Sequence, residues 1–340
     1  MTDNHPYLHH LTNSQSLMTT SEAKRAGFVE AVIEKSRLAD EFVWVARSLK
    51  VKAEQANKPE DLLDMPDLKA GLLTAAGVSD KATAYLDEVD RRELLLQYIE
   101  NVLKPAGDKF AEELVYRFLL TRGDTLGGKI RNLVGIWAQR KFSRFIVSEL
   151  RLSGRDFQWF DKKQEKWRLA EHLDDLDDIR AFAWNVGYLP RILAYNLQVP
   201  MIKTDEERLE DEDGGAIGKG GKNVDICLLH STPDQYRSKT QRPKVVRDAG
   251  LYVALGELKG GIDPAGADEH WKTANAHLGR IRRSFAALPT MPSLFFVGNA
   301  IEASMAGEIW SQLEAGDLAN AANLTDDRQA VSLVSWLCAL

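Results

Sequence analysis

Apolar positions along the chain change their period partway through. From residue 20 to 120 they recur at roughly helical spacing: Ser21-Glu22-Ala23-Lys24 reads as a helix start, followed by Phe28, Ala31, Val32, Ser36 and Leu38. Pro59, Pro66 and Pro105 punctuate this stretch, and Gly77-Val78-Ser79-Asp80 reads as a turn feeding an N-cap. The pattern predicts an all-helical N-terminal domain over residues 1–120, with no internal repeat. From Gly123 the texture changes, with the pair Gly127-Gly128, a long helix from about Lys129 to Leu152 and aromatic strand residues near Phe157 to Phe160. Further on, Val224 to Leu229, Leu251 to Leu255 and Pro292 to Gly298 are short apolar runs of buried-strand type. Between the last two, Ala267 to Leu288 is amphipathic, with Trp271, Ala274, Leu278, Ile281 and Phe285 spaced alternately by three and four. Strand, strand, helix, strand predicts a mixed sheet flanked by helices, an α/β (α+β) domain over residues 121–340.

Composition frames this without redirecting it. With 340 residues, 44% hydrophobic and 28% charged, the chain can bury an ordinary core. No run approaches the roughly 18 apolar residues of a membrane span, and the N-terminal residues lack a basic stretch followed by an apolar one. Cys227 and Cys338 are the two cysteines, too few for a disulfide framework or a four-cysteine zinc site, so a reducing cytoplasm is the expected setting. The net charge of -6 argues weakly against a nucleic-acid partner, but charge is segregated along the chain. Arg122, Lys129, Arg131, Arg140, Lys141 and Arg144 stand against Asp124 alone, a helix that can track a phosphate backbone. Asp205 to Asp213 is instead strongly acidic and reads as a solvated loop. The glycine-rich run Gly214 to Gly221 lacks the spacing of a phosphate loop and reads as a connection into the next strand.

Candidate chemistry gathers at the ends of two predicted strands. Asp225 sits inside an apolar run, where a bare carboxylate is costly to bury. Glu257 and Lys259 are two apart, hence on one face of their strand. An isolated E-x-K pair is usually a surface ion pair. Here the apolar strand, the preceding Asp strand, the following Gly260-Gly261 and the upstream basic helix favour a functional set. Two carboxylates at adjacent strand ends suffice as protein ligands for Mg²⁺ when phosphate oxygens supply the rest, and an ammonium beside them can stabilise charge on a phosphorane. His270, placed in the first turn of the predicted helix, is either a helix-terminal structural histidine or a general base. His277, about 10 Å further along that helix, is too far to share an ion with it and reads as structural or as a polar neighbour of substrate.

The Asp225…Glu257-Leu258-Lys259 arrangement resembles the PD-(D/E)XK nuclease superfamily, and the run from Glu257 to His270 is similar to AvaI/BsoBI-type restriction endonucleases. Thr20 to Phe28 and Ser79 to Ala82 resemble the helical domain of those enzymes, so most of the chain is covered. Arg122 to Asn132 is also similar to ApaLI-like restriction enzymes, and Val224 stands where the superfamily has proline. The resemblance implies a restriction-endonuclease-like core carrying an N-terminal DNA-embracing helical domain. It also implies Mg²⁺ on Asp225 and Glu257, catalysis by Asp225, Glu257 and Lys259 with His270 as base, and a homodimer around double-stranded DNA, with a cognate methyltransferase in the same system. Asp263 would then read base edges, with Lys81 and Lys222 as further DNA contacts beside Arg122, Lys129 and Arg131. The expected activity is that of a type II restriction endonuclease. The rivals are a structure-specific or repair nuclease of the same superfamily and a non-catalytic DNA-binding protein.

Overall fold

A computed structural model describes residues 5–173, 176, 178–200, 221–237, 242–286 and 288–340. The acidic run and all of the glycine-rich run except Gly221 lie outside the described residues. The chain divides into two compact units, one of Met1–Gly27 with Val134–Leu340 and one of Phe28–Leu133. These bounds differ from a split at residue 120 in two ways.

The N-terminal residues belong with the sheet because Tyr7, Leu11 and Leu17 are buried in its core. Thr19 ties them down: its hydroxyl donates to the Asn299 carbonyl at 2.8 Å and accepts from the Ile301 amide at 2.9 Å. The second difference is at Gly123. The boundary falls further on, between Leu133 and Val134, inside one continuous helix, Phe110–Leu152, that also holds Gly123, Gly127 and Gly128.

The helical unit is built around Leu49, Leu62, Leu72, Leu95, Ile99, Leu114 and Phe118. Its first helix, Ser21–Ala53, starts where the sequence predicts, but its buried stripe is Phe42, Ala46, Leu49 and Ala53. Phe28 and Val32 of the expected stripe are exposed. The predicted turn forms with Gly77 at φ +91, and Ser79 caps the short helix Asp80–Thr83 by accepting from the Ala82 amide at 3.2 Å.

The other unit carries an eight-stranded sheet: β1 (Phe157–Asp161), β2 (Lys166–Leu169), β3 (Ile179–Val186), β4 (Leu189–Val199), β5 (Lys222–Leu229), β6 (Tyr252–Lys259), β7 (Ser293–Gly298) and β8 (Asn320–Asn323). The spatial order is β2-β1-β3-β4-β5-β6-β7-β8. Strands β1 to β6 pair antiparallel, and β6-β7 and β7-β8 pair parallel, so the sheet is mixed. Each parallel pair is joined through a longer helix, Pro264–Phe285 before β7 and Ala303–Glu314 before β8, as crossover connections require.

Both faces are covered, so each strand distributes its side chains between two cores. Cys227, Leu229, Leu255, Leu294 and Phe296 pack against Trp271, Leu278, Ile281, Phe285, Ile309 and Leu313 of the two crossover helices. Ile226, Leu228, Ala254, Phe295 and Val297 pack on the other side against Phe142, Ile146 and Leu150 and against Leu333, Val334 and Leu337 of the helix Asp327–Ala339. The crossover helix starts at Pro264, three residues before the predicted start. Asp263-Pro264 is its start signal: the Asp263 carbonyl accepts from the Gly266 and Ala267 amides, and proline fits the first helical position.

Candidate active site

Period-two alternation puts Asp225 on the same face as Cys227 and Leu229, and Glu257 and Lys259 on the same face as Leu255. That face is the one covered by the helix Pro264–Phe285. The β5-β6 ladder pairs Ile226 with Gly256, so Asp225 and Glu257 are next to each other as the strands leave the ladder. Asp225 then replaces the missing strand partner: its Oδ2 accepts from the Leu258 amide at 2.9 Å.

Two glycines allow the close packing this requires. A Cβ on Gly256 would lie 2.2 Å from the Phe295 ring, and one on Gly260 would lie 2.6 Å from the Val134 carbonyl of the long helix. The end of β6 is held by Asn299, whose amide donates to the Lys259 carbonyl and whose side chain donates to the Gly260 carbonyl, each at 2.9 Å.

The three side chains meet. Lys259 Nζ donates to Asp225 Oδ2 at 2.9 Å and to Glu257 Oε2 at 2.6 Å. The Glu257 side chain is 3% exposed and those of Asp225 and Lys259 are about a quarter exposed, at 28% and 24%. Burial pushes the Asp225 carboxyl up, and the negative Glu257 adds to this against the opposing pull of Lys259. For Glu257 burial also acts upward, but the contacts with His277 and Lys259 outweigh it and hold the carboxyl below its usual range. Lys259 is disfavoured as a cation by burial, yet the two carboxylates prevail and raise it.

The two histidines of the helix Pro264–Phe285 are placed differently. His270 is exposed and lies in the second turn of its helix, because that helix starts earlier than the pattern indicates. It adjoins Gly261 and Gly266. His277 is the histidine against the trio, with Nδ1 2.8 Å from Glu257 Oε1. That contact is short enough for an ion pair but lies off the line of a hydrogen bond, so Oε1 is a buried acceptor without an aligned donor among the described residues. His277 Nε2 is likewise buried without a partner among them. The sequence signal available for His277 was its place next to the buried Ala274, Leu278 and Ile281 stripe.

These residues bear on whether a divalent cation fits. Among the described residues no three His, Cys, Asp or Glu side chains form a ready-made cage. Mg²⁺ does not need one, since it commonly takes one or two carboxylates and keeps its waters or substrate oxygens. Asp225 and Glu257 supply such a pair, and the buried Oε1 without an aligned donor is an acceptor suited to a cation.

A cleft of about 460 Å³ opens beside His277, lined by Lys222, Asn223, Lys272, Thr273 and Arg280. Lys222 therefore stands with two cations, Lys272 and Arg280, that sequence reasoning did not single out. Asp263 is exposed just before the helix. The remaining expected DNA contacts lie in the helical unit. Lys81 and Arg131 are exposed, and Lys129 lies 4.9 Å from the Phe42 ring centre. Arg122 is committed locally, to Asp80 at 2.9 Å and against Phe42 and Phe118.

A mixed sheet with aspartate, glutamate and lysine converging on one face where its antiparallel half meets its parallel half has the construction of a restriction-endonuclease-like nuclease core. Comparison with known proteins makes this specific: residues 7–209 and 216–340 match the family model described as restriction endonuclease BsobI. The chain is 46% identical over 338 residues to the type II restriction enzyme AvaI of Nostoc sp. (strain PCC 7120), covering 98% of this chain and all of that one. It is 42% identical over 337 residues to the type II restriction enzyme BsoBI of Geobacillus stearothermophilus, covering 98% of each. The chain belongs to the BsobI restriction endonuclease family. The match to this family over nearly the whole chain decides between the two restriction-enzyme resemblances of the sequence.

Proposed function

We propose that this protein is a type II restriction endonuclease that hydrolyses both strands of double-stranded DNA at a short palindromic sequence, with Mg²⁺ held by Asp225 and Glu257. The observation that carries the reading is the ammonium of Lys259 shared between the buried carboxylate of Glu257 and the partly buried one of Asp225, beside a basic cleft. Isolated charges are not kept in such a place without use, because each costs several kcal/mol to desolvate. Bound Mg²⁺ would supply Lewis-acid stabilisation of the phosphate and a more acidic water.

The chain's own residues do the rest. Asp225 and Glu257 hold the negative charge that binds the cation, and their position side by side where the β5-β6 ladder ends keeps both on one side of the scissile phosphate. Lys259 donates from Nζ, which places a positive charge where the phosphorane becomes more negative. Lys222, Lys272 and Arg280 line the cleft and take the DNA backbone by charge. Asp263 accepts from a base edge such as a cytosine amino group. Lys81, Lys129 and Arg131 of the helical unit add backbone contacts by their charge. His270 is exposed, and any role it has as a base depends on the approach of DNA. The active species is a homodimer whose two-fold axis matches that of the site, working in the cytoplasm with a methyltransferase that protects the host sequence. Among the described residues no helix is long and apolar enough to cross a membrane.

Digestion of a sequenced plasmid by the purified protein, with Mg²⁺ and with EDTA, tests this reading. Discrete fragments that need Mg²⁺, and that Lys259→Ala does not produce, are the expected result. A smear, or wild-type cutting by Lys259→Ala, overturns it.

A further inference from the structure

Glu257 is the most enclosed member of the trio, and a glutamate has three side-chain torsions to hold still. Lys259 fixes one of its oxygens, Oε2, at 2.6 Å. The other, Oε1, lies 2.8 Å from Nδ1 of His277 and has no hydrogen-bond partner among the described residues. His277 comes from a different element, the helix Pro264–Phe285, which is anchored on the sheet by Trp271, Leu278, Ile281 and Phe285. Anchoring of this kind leaves the imidazole little freedom to leave Glu257. His277 lines the basic cleft, and its Nε2 is buried with no partner among the described residues.

We propose that His277 is a positioning residue for the metal site: through Nδ1 it sets the orientation of the Glu257 carboxylate, so that Glu257 and Asp225 present their oxygens to one cation. This rests on the reading of Glu257 as a metal ligand. Outer-shell partners act in this way generally: a carboxylate already held in its ligating orientation does not lose rotational freedom when the cation arrives. Loss of such partners lowers metal affinity by about 10- to 100-fold. The 2.8 Å contact makes Nδ1 the nitrogen that faces Glu257.

The test uses the full chain and Mn²⁺ alone as the probe, with free Mn²⁺ read by electron paramagnetic resonance, alongside the Mg²⁺ concentration that half-saturates plasmid cleavage. Variants His277→Ala, His277→Asn and His277→Gln are compared with Glu257→Ala, and each is melted to verify folding. An asparagine amide nitrogen falls where Nδ1 lies, and a glutamine amide nitrogen falls nearer Nε2.

The expected result is Mn²⁺ binding weakened about 10- to 100-fold in His277→Ala, most of it recovered in His277→Asn and not in His277→Gln. Half-saturation by Mg²⁺ should move in parallel, while the cleavage rate at saturating Mg²⁺ falls less. Recovery by glutamine rather than asparagine overturns the assignment to Nδ1. Unchanged Mn²⁺ binding in His277→Ala, with binding lost in Glu257→Ala, overturns the role of His277 and leaves the nuclease reading standing. Unchanged binding in Glu257→Ala overturns the ligand assignment itself. If His277→Ala does not fold, the near-isosteric asparagine and glutamine pair still decides the question.

Discussion

Replacing Lys259 by methionine keeps the length of the side chain and removes the ammonium that Asp225 and Glu257 share. The two ion pairs of that ammonium are 2.9 Å and 2.6 Å long. At an effective dielectric of about 20 each amounts to roughly 6 kcal/mol of Coulomb attraction. Most of that offsets the cost of burying the three charges, so the quantity to expect is the cost of removing one partner from a buried pair, about 3–5 kcal/mol. In a unit of this size each kcal/mol lowers the melting temperature by about 2–4 °C, a total fall of roughly 6–20 °C.

Melting of Lys259→Met and wild type in EDTA, followed by near-ultraviolet circular dichroism, measures it. The deficit should also depend on pH. Burial first, then Glu257, raises the folded-state pKa of Asp225, and loss of Lys259 raises it further. A carboxyl whose folded pKa is raised contributes stability below its unfolded pKa of about 3.9. It loses that contribution as pH rises through the folded pKa. The gap between variant and wild type should therefore be narrow near pH 4 and fully open at neutral pH. Mg²⁺ should narrow it at neutral pH, because a divalent cation neutralises the same two carboxylates. A variant that melts with wild type in EDTA at neutral pH refutes the account of three interdependent charges.

Three other outcomes follow from the geometry. Gly256→Ala forces a methyl to within 2.2 Å of the Phe295 ring and should cost about 1–3 kcal/mol in urea denaturation; part of this should return when Phe295 is shortened to leucine, and a neutral single variant would contradict the packing account. Gly127→Ala places a methyl in open space within the helix Phe110–Leu152 and should stabilise by about 1 kcal/mol, read as a higher urea midpoint. Arg280→Ala should weaken binding to all DNA sequences alike and lower the slope of log affinity against log salt by about 0.9; an unchanged slope removes Arg280 from the phosphate contacts.

The alternation and helical spacing of apolar residues were enough to locate β1, β5, β6, β7 and the helix over Trp271 to Phe285, because burial on a fixed face is a one-dimensional constraint that side chains must obey. The same constraint brought out Asp225, Glu257 and Lys259, since charge inside an apolar strand contradicts its surroundings unless it is paired. Their meeting at 2.6 and 2.9 Å bears that out.

What the linear pattern left open depends on contacts between distant segments. The glycines at 123, 127 and 128 look like a break, yet the helix runs through them, since a cost of about 1 kcal/mol each is borne by a helix whose two ends are packed, through Phe110, Leu114 and Phe118 before them and Phe142, Ile146 and Leu150 after. Tyr7, Leu11 and Leu17 join the sheet's core because the fold brings the N-terminal segment back to it, and no local signal announces that. The choice of histidine is the clearest case. His270 and His277 are two turns apart on one helix, and which of them meets Glu257 is set by how that helix crosses the sheet. The docking that puts Nδ1 of His277 against Oε1 of Glu257 is a property of the packed layers, in which Trp271, Leu278 and Phe285 fix the helix's rotation and height over β6.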